Sequence, residues 1–191
     1  MQLVFATNND NKIKEIKLAL GQKFEILSLK DINCNEELPE TQETLKGNAL
    51  QKAKYVADKY KVNCFADDTG LVIAALNGEP GVYSARYAGE QKKAEDNMQK
   101  VLTNLSGKEN RNAYFETSIA LIINGTEYSF TGKAEGVILT EKSGAEGFGY
   151  DPIFKPTGFA VTFAEMSMEQ KNKISHRGKA FQKMIDFLES K

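Results

Sequence analysis

The sequence predicts an α/β protein built on a mixed β-sheet, and three observations carry that prediction. Short apolar runs alternate with helical patterns through the N-terminal part of the chain. Two long strand-like runs meet at Asn124-Gly125, and the chain closes on an amphipathic helical pattern. Alternation of strand and helix calls for parallel neighbours joined by crossovers, whereas a hairpin is antiparallel, so the sheet contains both.

The elements follow in order. Residues 3–6 (LVFA) form a short buried strand, and the next helix carries Ile13, Ile16 and Leu20 on one face. "FEILSL" (24–29) is a second strand. A polar, acidic loop, "KDINCNEELPETQ", leads into the long helix "TLKGNALQKAKYVADKY", whose Leu45, Ala49, Ala53, Val56 and Tyr60 keep helical spacing. "NCFA" is a strand expected to end at Asp67-Asp68-Thr69-Gly70, with "LVIAAL" beyond it and a loop-rich "NGEPGVYSARYAG". A polar helix covers residues 91–105. "AYFETSIALIING" and "TEYSFTGKAEGVIL" then make a hairpin, because both turn positions of Asn-Gly tolerate positive φ. "EGFGYDPIFKP", a basic segment, and a last helix with Phe181, Met184, Ile185 and Leu188 on one side complete the chain.

At 191 residues this is one domain, with room for two lobes and a real core. Hydrophobic residues make up 41% and charged residues 27%, the balance of a soluble globular protein. Lys+Arg (25) nearly cancels Asp+Glu (26), so no global field attracts nucleic acid or an anionic membrane. Any phosphate-binding surface is local. The two cysteines, Cys34 and Cys64, lack metal-ligand spacing and read as reduced thiols. The first residues have neither the basic region nor the apolar stretch of a signal peptide, and no run approaches the ~18 apolar residues of a membrane span. A cytoplasmic, soluble protein with no nucleic-acid or membrane partner is expected.

Four clusters could carry chemistry. The first is Thr7, Asn8, Asn9, Asp10, Asn11 and Lys12, where the first strand hands over to the first helix. A helix N-terminus presents N–H groups and the positive end of the dipole to anions. Asn can adopt left-handed conformations and build a nest of donors, with Lys12 able to point back at a phosphate. A plain, over-polar helix cap is the alternative. The second is Asp67-Asp68. Neighbours on a strand point to opposite faces, so one carboxylate is expected to face a site and the other to cap the following turn. A carboxylate there suits Mg²⁺, with a further acid from Glu36, Glu37, Glu40 or Glu43. In the third, "EGFGYDPIFKP", Gly147 and Gly149 leave the ring of Phe148 clear for stacking on a base, worth ~1–3 kcal/mol, with a Gly-rich turn around a core Phe as the alternative. The fourth, "EQKNKISHRGKAFQK", holds the only histidine, His176, beside Arg177 and near Lys171 and Lys173. Ser175 to Gly178 reads as a helix start.

Together these clusters, spread in order from Thr7 to Arg177, resemble the inosine triphosphate pyrophosphatase family. "ATNNDNKIKEI" is similar to its phosphate loop, and "ETLKGNALQKA" to its long helix with Asn48, Ala49 and Lys52. "ADDTGL", "GEPGVYSARYAG", "GFGYDPIF" and "SHRGKA" complete the set. The chain departs from the pattern at Asn8 and Asn9, where many members have Gly, and at Gly47, where they have Glu. The resemblance implies a long twisted mixed sheet flanked by helices, two lobes with the active site in the cleft between them, and a homodimer. It implies hydrolysis of ITP, dITP and XTP to the monophosphate and pyrophosphate. The implied roles are Asp68 as catalytic proton acceptor, and Asp68 with Glu40 as Mg²⁺ ligands. Substrate contacts would come from Thr7, Asn8, Asn9, Asp10, Asn11, Lys12, Lys52 and Thr69, and from Phe148, Gly149, Tyr150, Asp151, Lys171, His176 and Arg177. The Maf-like pyrophosphatases are the nearest enzymatic alternative. A non-hydrolysing nucleotide-binding regulator and a single-stranded nucleic-acid binder are alternatives outside that class.

Overall fold

The computed structural model describes residues 2–20 and 24–190. Among them, seven strands form one mixed sheet: β1 (Gln2–Phe5), β2 (Glu25–Leu27), β3 (Cys64–Ile73), β4 (Pro80–Gly81), β5 (Asn112–Ile123), β6 (Thr126–Ile138) and β7 (Phe154–Pro156). The order is β2-β1-β3-β5-β6-β7, with β4 paired to β3. β1 runs parallel to β2 and β3, while β3–β4 and β6–β7 are antiparallel. The helices are α1 (Asp10–Leu20), α2 (Leu45–Tyr60), α3 (Ala94–Asn104), α4 (Met168–Ile174) and α5 (His176–Glu189). Mixed pairing with helices is the expected class.

The chain divides into two compact units, each assembled from separated segments. One contains Met1–Asp68, Thr117–Gly132 and Arg177–Lys191; the other contains Thr69–Glu116 and Lys133–His176. In the first unit the period of two along β1, β3 and β5 decides what each helix covers. Leu3, Phe5, Phe65, Ile119 and Leu121 pack with Ile16 of α1 and with Phe181, Met184, Ile185 and Leu188 of α5. The alternate residues Val4, Ala6, Cys64, Ala66, Ala120 and Ile122 pack with Ala49, Ala53, Val56 and Ala57 of α2. Phe5 stacks on Phe65 at 4.5 Å, in register, and Phe181 meets both rings edge-on at 6.0 and 5.9 Å. Such aromatic pairs add roughly 0.5–1.5 kcal/mol each beyond burial. The side chain of Leu20, expected on this face, lies outside the described residues.

The second unit has its own core, with Phe115, Phe154 and Phe163 against Met98 and Val101 of α3. Arg111 ties its edges: Nε, Nη1 and Nη2 donate to the carbonyls of Ile138 (2.6 Å), Leu105 (3.1 Å) and Leu139 (2.6 Å). The β5–β6 turn forms as expected, with φ of 49° at Asn124 and 78° at Gly125.

Two elements differ from expectation. β3 does not end at Asp67; it continues unbroken to Ile73, so the Asp-Asp pair sits inside a strand and neither residue caps a turn. The basic segment contains a separate helix, α4, capped by Ser167, whose hydroxyl accepts from the Gln170 N–H while the Gln170 side chain accepts from the Ser167 N–H.

Candidate active site

The alternation that sorts the core also sorts the two aspartates. Asp67 follows Phe65 onto the face covered by α1 and α5, and Asp68 follows Ala66 onto the face covered by α2. Each therefore meets a different set of partners.

Asp67 is fully buried. Its Oδ1 accepts from Lys12 Nζ of α1 at 2.9 Å and its Oδ2 from Arg177 Nε of α5 at 3.3 Å. Arg177 also pairs with Glu15, likewise buried. Burial pushes the Asp67 carboxyl up, but Lys12, Arg177 and Lys52 together outweigh it and hold the group down to about 2. Lys12 is shifted down, burial outweighing the attraction of Asp67. A carboxylate depressed in the folded state stabilises the fold above its ordinary value of 3.8 and loses that contribution as pH falls through about 2. Thermal unfolding followed from pH 5 to pH 2 should show a falling melting temperature across this window. A flat profile there would remove the Asp67 network from the stability of the fold.

Asp68 faces α2. Asn48 Nδ2 donates to its Oδ2 at 3.1 Å, and Lys52 Nζ stands 3.8 Å from its Oδ1. Lys52 Nζ also donates to the Asp67 carbonyl at 2.8 Å and to the Glu40 carboxylate. Burial pushes Asp68 above the usual carboxylate range, opposed but not overcome by Lys52 and Lys12. Lys52 is itself raised, because Asp68, Glu40 and Asp67 outweigh its burial. Adjacent residues of one strand are thus driven apart, Asp67 firmly ionised and Asp68 made more basic. That separation leaves Asp68 the more basic of the two.

Why α2 delivers these groups is local. Thr44 caps it, its Oγ1 accepting from the Gly47 N–H, and Asn48 and Lys52, one turn apart, share a face. A Cβ at Gly47 would stand 2.8 Å from Gln42 Cβ, so glycine lets the acidic loop approach the helix. There the Gln42 N–H donates to Asn48 Oδ1 at 2.9 Å, and Thr41 and Gln51 exchange two hydrogen bonds. Glu40 immediately precedes these anchors and pairs with Lys52.

The opening loop lies in the same unit. The Thr7 hydroxyl accepts from the Asn9 N–H at 3.2 Å, and Asn9 Oδ1 accepts from the N–H groups of Asn11 (3.0 Å) and Lys12 (3.3 Å). Asn8 donates to the Glu36 carbonyl at 3.4 Å, and Asp10 and Asn11 open α1, exposed. None of these residues has positive φ. The expected nest of left-handed asparagines is therefore not what the loop builds. Asn9 is a helix cap, because its carbonyl oxygen satisfies the first helical N–H groups in an ordinary conformation.

The second unit holds the remaining candidates. Asp151 Oδ2 accepts from Lys171 Nζ at 2.7 Å and from the Phe148 N–H at 2.8 Å. The Lys171 ammonium lies 4.8 Å from the centre of the Phe148 ring. Gly147 and Gly149 have φ of 76° and 64°, and a Cβ at Gly147 would strike the Asp151 carboxylate. Tyr150 is buried, with its hydroxyl on the Ser84 carbonyl at 2.7 Å; burial pushes that phenol up. His176 is buried and stacked on Phe115 at 4.5 Å, and Thr69 is half-buried on β3. Arg177, expected to read a base beside Lys171 and His176, belongs to the first unit, where its guanidinium pairs with Glu15 and Asp67. Two acidic residues on the far ends of its fork hold it there.

Glu40 and Asp68 fit a hard divalent cation. Among the described residues no three His, Cys, Asp or Glu side chains converge as a metal site. Glu40 and Asp68, both beside Lys52, are the two carboxylates that could serve a divalent cation taking its other ligands from phosphate and water.

A model described as the Ham1 family matches residues 3–187. The chain belongs to the Ham1 family. This bears out the resemblance drawn from the motifs. Ham1 relatives include the dITP/XTP pyrophosphatase of Flavobacterium johnsoniae, 60% identical over 98% of both chains, and that of Flavobacterium psychrophilum, 57% identical over the full length of both. Solved Ham1 structures superpose closely. The Ham1 protein of Staphylococcus aureus gives a TM-score of 0.90 at 38% identity, covering 100% of this chain and 99% of its own. That of Coxiella burnetii gives 0.92 at 36% identity, covering both chains completely.

Proposed function

We propose that the chain hydrolyses the α–β phosphoanhydride of deaminated purine nucleoside triphosphates (ITP, dITP and XTP), with water, to the monophosphate and pyrophosphate. The observation that carries this reading is Asp68, made basic by burial and held by Asn48 beside Lys52 and Glu40. Family membership and full-length similarity to dITP/XTP pyrophosphatases support the substrate class.

Asp68 accepts the proton of the attacking water, and its raised affinity for that proton suits it to the task. Lys12 and Lys52 neutralise the triphosphate, and the first turn of α1 faces it. Glu40 and Asp68 would hold Mg²⁺, which when bound offsets phosphate charge and lowers the pKa of water. Asp151 orients Lys171 toward the purine, and the Phe148 ring, 4.8 Å from that ammonium, stacks on the base. We further read the enzyme as a cytoplasmic homodimer. Two buried, unbridged cysteines suit a reducing compartment, and no described helix is long and apolar enough to cross a membrane.

Pyrophosphate release from ITP, XTP, dITP, ATP, GTP and pyrimidine triphosphates tests the substrate class. Activity should vanish in excess EDTA and return with Mg²⁺. Full turnover under chelation would sink the assignment of Glu40 and Asp68 as ligands.

A further inference from the structure

Glu36, Glu37, Glu40 and Glu43 crowd the loop before α2, and only Glu40 is placed at Lys52 by the contacts above. Glu36 turns elsewhere. Its carboxylate accepts from the Tyr55 hydroxyl, from Lys59 Nζ at 2.5 Å and from the Tyr60 hydroxyl at 3.3 Å. The Lys59 ammonium in turn lies 5.5 Å from the centre of the Tyr55 ring and 5.9 Å from that of Tyr60. Three donors on the last turns of α2 thus converge on one acid. The Glu36 carbonyl meanwhile accepts from Asn8 in the opening loop.

The loop therefore spans α2 with both ends fixed. Glu36 is clamped to the C-terminal turns, while Thr41 and Gln42 are bonded to Gln51 and Asn48 nearer its start. Glu40 lies between the two attachments, and Asn8 is joined to the first of them. We propose that Glu36 is a positioning residue, whose clamp on Tyr55, Lys59 and Tyr60 sets both Glu40 and Asn8. It touches no reacting atom. A pair this exposed contributes little to global stability. Its effect falls instead on the geometry of one loop, where outer partners of a ligand typically change affinity by about 10-fold or more.

The activity arm rests on the proposed function; a second arm does not. Glu36→Ala should raise the triphosphate KM and the half-saturating Mg²⁺ concentration by about 10-fold, with kcat at saturation close to wild type. Glu36→Gln, which keeps an acceptor for Tyr55, should fall between the two. Adding Tyr55→Phe to Glu36→Ala should cost nothing further, because both remove one interaction. Hydrogen–deuterium exchange on the intact chain, without nucleotide or metal, should speed up across residues 36–43 in Glu36→Ala while α2 keeps its protection. Unchanged exchange there, or an unchanged KM and Mg²⁺ requirement in an active enzyme, would overturn the role of Glu36. If the wild-type protein does not hydrolyse ITP, the proposed function fails, and the exchange result alone decides whether the clamp holds the loop.

Discussion

Asp68→Asn is expected to reduce pyrophosphate release by at least about 100-fold, the lower end for a positioned proton acceptor, without lowering the melting temperature. Both halves follow from the same burial. On the proposed reaction the carboxylate is needed, yet its raised pKa says that the folded environment disfavours its charge. A raised carboxyl favours the fold most at low pH and loses that contribution as pH rises through its folded value, so at neutral pH the ionised group is a net strain. Asparagine removes the charge, keeps the shape, and still offers an oxygen to Asn48 Nδ2. Calorimetry beside a turnover assay reads both effects. A folded variant keeping more than a tenth of the wild-type rate would remove Asp68 from the chemistry. A large drop in melting temperature would mean that its charge supports the fold.

The second large effect concerns the base. Hypoxanthine presents an acceptor at O6 and a donor at N1–H, whereas adenine presents a donor at N6 and an acceptor at N1. Lys171, fixed by Asp151 and buried, offers only hydrogens. It can satisfy O6 but meets a second donor when adenine enters. Sites built to bond a polar group reject the mismatched analogue by factors of ~10⁴ or more, so kcat/KM for ITP should exceed that for ATP by at least ~10³, about 4 kcal/mol. Lys171→Ala should narrow the gap. Arg177→Lys should not, because the guanidinium is engaged by Glu15 and Asp67. Its expected consequence is lower stability and a higher KM for every triphosphate alike. Comparable wild-type rates on ITP and ATP would refute recognition through O6, and an Arg177→Lys variant with altered selectivity would return that residue to the base.

What the sequence made legible were features whose causes lie close together along the chain. Asn124-Gly125 forms its turn because two adjacent residues need positive φ, and Thr44 caps α2 through an N–H three residues on. The apolar periods of α2 and α5 place Ala49, Ala53, Phe181 and Met184 where they are found. What stayed hidden was set by distant partners. Asp-Asp-Thr-Gly has the composition of a turn, yet the strand runs through it because Lys12 and Arg177 neutralise Asp67 from helices far apart in the chain. Nothing near Glu15 announces that a buried arginine 162 positions later needs it. The Ser167 and Gln170 of α4 were a readable capping signal that basic composition obscured.

The Lys12–Asp67 pair also bears on how the enzyme lets go. An ionised carboxylate 2.9 Å from the ammonium is a tethered rival to every phosphate that enters, and tethering gives it a high effective concentration. On the proposed reaction, the incoming triphosphate must draw Lys12 away from Asp67. When pyrophosphate departs, Asp67 recaptures the lysine without recruiting a counter-ion from solvent. Product retention is thereby weakened at the lysine itself, and inhibition by accumulated pyrophosphate should be milder than two neighbouring ammonium groups acting alone would produce.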